Sequence, residues 1–435
     1  MFIRKLLFAI LVLTSTFEKT GVPVVFGGRA ISVDLFKALL MISAVVVLIL
    51  PSRARKVNRP GWSRDLVRML VVCIAIQTIC SLLGLLLQPG ETRFTSEVFY
   101  LLQRGSVLLI PWLAVRSGIS PQTALRLFVA AVCLHDGFGL LQYISPSAYQ
   151  VFVAAVHDDL RVDNSLFWAP EAVSFDFIGL QTTSNYGVFA ASFGLLVLGL
   201  APKDSKWRMA KWLFLAFTAL VVLLSPSRSV LLMLAVATFV AAYGAKFFTT
   251  TKFYLGIAVL AAGSIAYVSY YAVQLEMFVS VYAFSDPNRE GSNMGHLQMT
   301  ELSFELIRES PFFGYGQRRF TDLISTLPSF DGRYGESHSF YLSTLISTGG
   351  VGLIAFFVWF TALVKELWRK REYPHCNALC AMLVGLAVYN APYDAGHLGS
   401  FACFLGIASY AALWTPRSAV VAQSSPSAPV QARHF

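Results

Sequence analysis

His338 and the arginines that precede it are the side chains best suited to chemistry. The stretch Gly335-Glu336-Ser337-His338-Ser339-Phe340-Tyr341-Leu342 opens a long apolar run, which sets one imidazole where a helix leaves water for hydrocarbon. Imidazole exchanges its proton near neutral pH. Between positions 274 and 337 every cationic side chain is arginine, at 289, 308, 318, 319 and 333. Guanidinium is a planar fork that grips phosphate oxygens in pairs, whereas an ammonium is a point charge. A proton acceptor beside such forks at a membrane edge points to chemistry on a lipid phosphate. The competing reading is structural: the nine carboxylates of the same segment pair with the arginines, and His338 anchors a helix start.

Arg228 follows the turn Ser225-Pro226-Ser227 and precedes Val230-Leu231-Leu232-Met233-Leu234. A charge this close to hydrocarbon is costly unless paired or hydrated, which marks it as functional unless it snorkels to the interface. Arg104 and the pair His135-Asp136 fall inside apolar runs and are expected to face the interior. An Arg104–Asp136 pair is the structural reading, and a proton or substrate path is the transporter reading. His397 and Asp394, between the last two apolar runs, are weaker candidates. No D-x-D pair occurs in an outer segment, and no G-x-x-x-x-G-K-[ST] loop occurs anywhere. Neither metal nor cofactor is therefore expected, and the activated donor is expected to be lipid-linked rather than a nucleotide sugar.

The elements that must position these residues are membrane helices. Of 435 residues, 56% are hydrophobic and 13% charged, against about 25% charged in soluble domains. Apolar runs near the roughly 20 residues needed to cross hydrocarbon recur throughout. The alternating segments of a membrane barrel do not. The net charge of +10 resides in short connections, around Arg53 to Arg64, Lys203 to Lys211, Lys246 to Lys252 and Lys365 to Arg371. All of these fit on one side, the positive-inside pattern, so nucleic acid is not expected as a partner. The six cysteines lie in or beside apolar runs and read as packing residues.

The expected fold class is therefore all-α: a polytopic membrane domain over 1–415 with about 12 transmembrane helices and both termini cytoplasmic. The expected helices lie near 4–17, 32–51, 67–88, 96–115, 123–144, 184–201, 212–225, 229–245, 253–273, 338–364, 376–392 and 398–414. The N-terminal run resembles a signal peptide but lacks an A-x-A site, so it reads as an uncleaved first helix. A large outer loop spans about 274–337, and a Ser-, Pro- and Ala-rich cytoplasmic tail over 416–435 is expected to be disordered. Within the outer loop, 299–309 reads as an amphipathic helix, with Leu302, Leu306 and Ile307 opposite Glu301, Glu305 and Glu309. Pro311 stops it and Gly314-Tyr315-Gly316 makes a tight turn. That helix lies either over the mouth of the bundle or on the membrane surface.

Four pieces of this sequence resemble the bacterial O-antigen ligase and polymerase family of polytopic glycosyltransferases. They are Leu180-Gln181-Thr182-Thr183-Ser184-Asn185-Tyr186-Gly187; Ser227-Arg228-Ser229-Val230-Leu231-Leu232; Glu309-Ser310-Pro311-Phe312-Phe313-Gly314-Tyr315-Gly316; and Glu336-Ser337-His338-Ser339-Phe340-Tyr341-Leu342 with Gly349-Gly350-Val351-Gly352-Leu353. The last resembles the family's His-Asn-x-Tyr-Leu element, with Ser339 where asparagine is usual. The likeness covers about 175–365. His296 stands near the place of a second family arginine, and Arg289 is its nearest substitute.

The resemblance implies an enzyme of a bacterial inner membrane, with its active site facing the periplasm. It implies inverting transfer of a glycan from undecaprenyl diphosphate to an acceptor hydroxyl, without a metal. His338 would be the catalytic base, and Arg228, with Arg289, Arg318 and Arg319, would hold the donor diphosphate. Polymerisation of O-antigen or exopolysaccharide repeat units is the leading expectation, with a chain-length regulator as a further partner besides membrane lipid. The alternatives are a ligase that transfers glycan to lipid A-core and, from another class, a lipid-linked sugar flippase using Arg104, His135 and Asp136. A protein O-glycosylating enzyme ranks third among the enzymes, since those often carry a larger outer domain.

Overall fold

The computed structural model describes residues 2–16, 21–26, 29–49, 61–88, 94–145, 147–148, 228–245, 287–318, 320–327, 339–391 and 399–415. Five helices precede the central part of the chain: α1 (Phe2–Thr14), α2 (Leu35–Ile49), α3 (Arg64–Leu87), α4 (Phe94–Ser117) and α5 (Pro121–Ile144). Six follow: α6 (Arg228–Gly244), α7 (Pro287–Glu309), α8 (Phe320–Ile324), α9 (Phe340–Arg369), α10 (Pro374–Tyr389) and α11 (Gly399–Leu413). Two short antiparallel ladders complete the described residues. Strands β1 (Gly21–Phe26) and β2 (Arg29–Asp34) pair with each other, and β3 (Gly61–Trp62) pairs with β4 (Trp414–Thr415).

This is a helical protein turned outward for lipid. Ile79, Leu86, Leu87, Leu48, Ile49 and Ile354 are more than half exposed, while Gln77, Ser81, Glu97, Ser106 and His135 are buried. In lipid, polar side chains seek the bundle interior, and apolar ones lose nothing by facing out. Helices α3 and α9 are each long and apolar enough to cross a membrane. Part of α4 and part of α5, bent by 112° at the break between them, form a third candidate. The shorter apolar helices include α2, α10 and portions of α6 and α11. The expected spans at 184–201, 212–225 and 253–273, and the tail over 416–435, lie outside the described residues.

The helix ends sort into two groups. At one end, Tyr410 of α11 donates to Ile119 O (2.6 Å), Ser117 donates to Arg4 O (3.2 Å), and Asn377 Nδ2 donates to Ala241 O (2.8 Å). Lys370 Nζ bonds there to Trp414 O (2.8 Å) and also to Ala412 O. Arg4, Arg64, Arg116, Lys370 and Arg371 therefore share this end. At the other end, Arg318 meets the last turn of α3, and Phe340 N donates to Asn390 O at 3.2 Å.

Small residues let the helices close. A Cβ on Gly406 would come within 2.9 Å of Ser106 O, and one on Gly385 within 2.9 Å of Met233 O. Close approach through small side chains, with hydrogen bonds such as Ser106 Oγ to Ala402 O (3.0 Å), is how helices associate where burial from water is not a driving force.

Helix α9 breaks at Gly349 (φ 65°, ψ −174°). In an unbroken helix the amides of Gly350 and Val351 would bond to the carbonyls of Ile346 and Ser347. Here those amides donate to Pro311 O (2.7 Å) and Phe312 O (3.3 Å), while Ile346 O and Ser347 O accept from Tyr315 N (2.7 Å) and Gly316 N (3.1 Å). The turn over 311–316 is thus spliced into the helix, and the backbone groups freed by the kink find partners there. A side chain at Gly349 would strike the Phe312 carbonyl in a conformation that L-residues avoid. Gly349→Ala is expected to destabilise the fold by about 2–3 kcal/mol or more. The check is a lower thermal midpoint and folded yield in detergent, compared with Ala substitution at Gly105, where the nearest heavy atom to an added Cβ is 3.7 Å away.

Candidate functional site

The site is built around the spliced turn. The helix that leads into it, α7, begins at Pro287 rather than near 299, so the amphipathic helix expected over 299–309 is its second half. Proline suits a first helical position because its missing N–H would be unsatisfied there anyway. Met299, Leu302 and Leu306 form the buried face, which packs with Tyr315, Leu323, Ile324, Leu327 and Ile346 into a small separate core. Glu301 and Glu309 are exposed, as the pattern predicts. The structure packs this helix on α8 and the start of α9.

Ser310 closes the turn by donating to Gly314 O at 2.8 Å. The Tyr315 hydroxyl donates to Glu309 Oε2 at 2.7 Å. Burial first, and then this hydrogen bond, hold the Tyr315 phenol above its ordinary pKa, so it remains a donor. Gly314 (φ 70°) and Gly316 (φ 74°) adopt the left-handed conformation that the Gly-Tyr-Gly turn predicts. Both also need the space, since a Cβ on Gly316 would approach Glu97 Oε1 to 2.9 Å.

Glu97, in the first turn of α4, is 5% exposed. Its carboxylate accepts from Ser81 Oγ at 2.9 and 3.0 Å and from Gln317 N at 2.5 Å. Arg318 follows directly, donating from NH2 to Gln88 O (2.6 Å) and Leu85 O (3.2 Å). A guanidinium there satisfies carbonyls at the end of α3 and opposes the negative end of its dipole. Deeper in the bundle, Gln77 Nε2 donates to Gly352 O (3.2 Å) and Trp359 Nε1 donates to Gln77 Oε1 (3.4 Å). Arg104 NH1 reaches Gln77 O at 3.4 Å. The arginine expected to pair with Asp136 is thus engaged with α3, and the Asp136 side chain lies outside the described residues.

The sequence-derived candidates are distributed unevenly. Arg318 is in the site as a helix-end contact. Arg228 is the first residue of α6 and Arg289 the third of α7, and the side chains of both lie outside the described residues. Arg319, His338, Asp394 and His397 lie outside them altogether. The elements beside them are informative. Helix α10 runs antiparallel to α6, with Asn377 against Ala241 and Gly385 against Met233 and Ala237. One further turn brings the start of α6 level with the Asn390 carbonyl, which holds Phe340 N. The starts of α6 and α9 therefore share one end of the bundle with the spliced turn.

Residues 212–357 match the family model described as O-antigen ligase. The match supports assignment of this segment to the O-antigen ligase and polymerase family. It covers about a third of the chain and includes Arg228, the spliced turn, His338 and Gly349. No curated protein matches the chain significantly. The family segment supports glycan transfer of the O-antigen ligase or polymerase type by a membrane protein acting on lipid-linked glycan and acceptor. Glu97, Ser81 and Gln77 lie outside that segment, and sequence reasoning missed them. The available signal was a carboxylate at the edge of an apolar run, the same cost argument that singled out Arg104.

Ser339, which replaces the family's usual asparagine, caps α9: its Oγ accepts from Leu342 N at 3.5 Å. Serine and asparagine are equivalent in this role. Ser339→Asn is expected to leave stability and glycan output unchanged. Ser339→Ala should cost about 1 kcal/mol, read as a lower thermal midpoint of the purified protein.

Proposed function

We propose that the chain is an inverting glycosyltransferase of a bacterial inner membrane that polymerises O-antigen or exopolysaccharide repeat units. The observation that carries this is the shared end of the bundle. There the O-antigen ligase family turn is spliced into α9, two residues after His338 the helix begins, and α6 begins at Arg228. The full chain has about 12 spans and cytoplasmic termini, and this end faces the periplasm, because the opposite end carries the basic side chains. The polytopic domain extends over 1–415 and its catalytic core over about 175–365.

In the proposed step the acceptor hydroxyl oxygen attacks the anomeric carbon of the donor sugar from the face opposite the diphosphate. The glycosidic bond to phosphate breaks, its electron pair leaves with undecaprenyl diphosphate, and the configuration inverts. His338 takes the hydroxyl proton as general base. Arg228, with Arg289, Arg318 and Arg319, stabilises the charge that builds on the diphosphate. Arg318 does so from a guanidinium whose NH2 is already fixed on α3. The second reading is a ligase that moves the glycan to lipid A-core. It is supported by the description of the matching family model, and it uses the same residues with a different acceptor.

His338→Ala and Arg228→Ala are each expected to lower polymer output about a hundredfold or more at matched protein level. The measurement is gel analysis of surface glycan together with the lipid-linked intermediates. Accumulation of single lipid-linked units on the outer face supports the polymerase. Full-length polymer retained on the lipid supports the ligase. Unchanged glycan in both variants refutes the catalytic reading and favours lipid-linked sugar transport through Arg104, His135 and Asp136.

A further inference from the structure

The family segment is held at its most important turn by a residue that the family segment does not contain. We propose that Glu97 is a positioning residue for glycan transfer: its carboxylate fixes the backbone at Gln317, and so sets where the Arg318 guanidinium stands beside the spliced turn. This rests on the catalytic reading above and adds a component from the N-terminal half of the chain.

Three features of the geometry support the assignment. The first is the isolation of the contact. Beyond Gly316, whose amide is bonded to Ser347 O, the next amide is that of Gln317, and it points to Glu97 Oε1 at 2.5 Å. The splice onto α9 therefore ends at Gly316, and the hold on the outgoing chain passes to Glu97. The second is the preparation of the carboxylate. Ser81 Oγ donates to both of its oxygens, at 2.9 and 3.0 Å, which fixes the rotamer from α3. An acceptor immobilised in this way places its partner within tenths of an ångström, which a water bridge would not. The third is complementarity of space. A Cβ on Gly316 would lie 2.9 Å from Glu97 Oε1 and 2.8 Å from Ser81 O, so the turn approaches α3 and α4 as closely as its backbone allows. On α3 itself, a Cβ at Gly84 would meet Gly314 O at 2.6 Å and Gly316 N at 2.8 Å.

A side chain that only packed the bundle would have no need to engage the outgoing strand of a catalytic loop. One residue past the Glu97 contact, Arg318 spends its NH2 on Leu85 O and Gln88 O. Glu97 and Arg318 thus pin consecutive residues of the loop to α4 and α3. Displacement of Gln317 by an ångström would move Arg318, which the catalytic reading places on the donor diphosphate, at a cost in turnover.

The test uses full-length protein in nanodiscs with lipid-linked oligosaccharide donor. Glu97→Ala should lower kcat about tenfold, with a loss of thermal midpoint no larger than that of one unsatisfied buried donor. Glu97→Gln, whose amide oxygen still accepts from Gln317 N, should restore at least a third of wild-type kcat. Ser81→Ala frees the same carboxylate from α3, so its loss of kcat should not multiply with that of Glu97→Ala in the double variant. The inference is overturned if Glu97→Ala retains wild-type kcat while His338→Ala does not. It is also overturned if the thermal midpoint and kcat fall together in Glu97→Ala and Glu97→Gln alike, or if the losses in the double variant multiply. If His338→Ala and Arg228→Ala are themselves fully active, the catalytic reading fails first, and Glu97 has no reaction to position.

Discussion

A helix in lipid cannot break without finding new partners for the backbone groups it releases, and this requirement organises the structure. At Gly349 the chain leaves helical geometry, and two carbonyls and two amides lose their regular partners. The turn over 311–316 supplies two amides and two carbonyls in register, so those four groups find new partners across the break. Three glycines with positive φ, at 314, 316 and 349, make that register possible. The kink and the turn are therefore one hydrogen-bonded unit. It follows that the loop segment over 311–316 is held here by the hydrogen bonds of a helix.

Around that unit, polar contacts join the helices in a bundle that is apolar on its outer surface. Gln77 ties α3 to α9 through Gly352 and Trp359, and Arg104 of α4 bonds to the same residue's carbonyl. Glu97 and Arg318 tie the loop to α3 and α4. Each of these groups would be expensive in hydrocarbon on its own, and the expense falls when it finds its partner. The O-antigen ligase family segment, which begins at 212, thus rests on a platform supplied by residues well before it.

Much of the scaffold was legible in the chain. Periodicity and basic connections placed α3, α4, α5, α9, α10 and α11 within a few residues of their observed ends, because hydrocarbon thickness sets helix length and charge sets its limits. Gly314-Tyr315-Gly316 announced a turn, since only glycine enters the left-handed region without penalty. The β1–β2 hairpin and the twelve N-terminal residues of α7 were not legible. The hairpin has weak alternation, and the start of α7 is polar and rich in residues that favour turns.

What the sequence determined by itself is the helical membrane class, the shared basic end and the family motifs around Arg228, Pro311 and His338, all of which depend on local composition and spacing. What only the tertiary structure decided is who partners whom. Arg104 donates to the Gln77 carbonyl, Ser339 caps α9, and Glu97 holds Gln317 across 220 residues of sequence. Hydrogen bonds between distant residues leave no periodic trace in a single chain. They are fixed by the register in which helices pack, and that register is set jointly by small residues such as Gly84, Gly385 and Gly406 on several elements, never by one segment read alone.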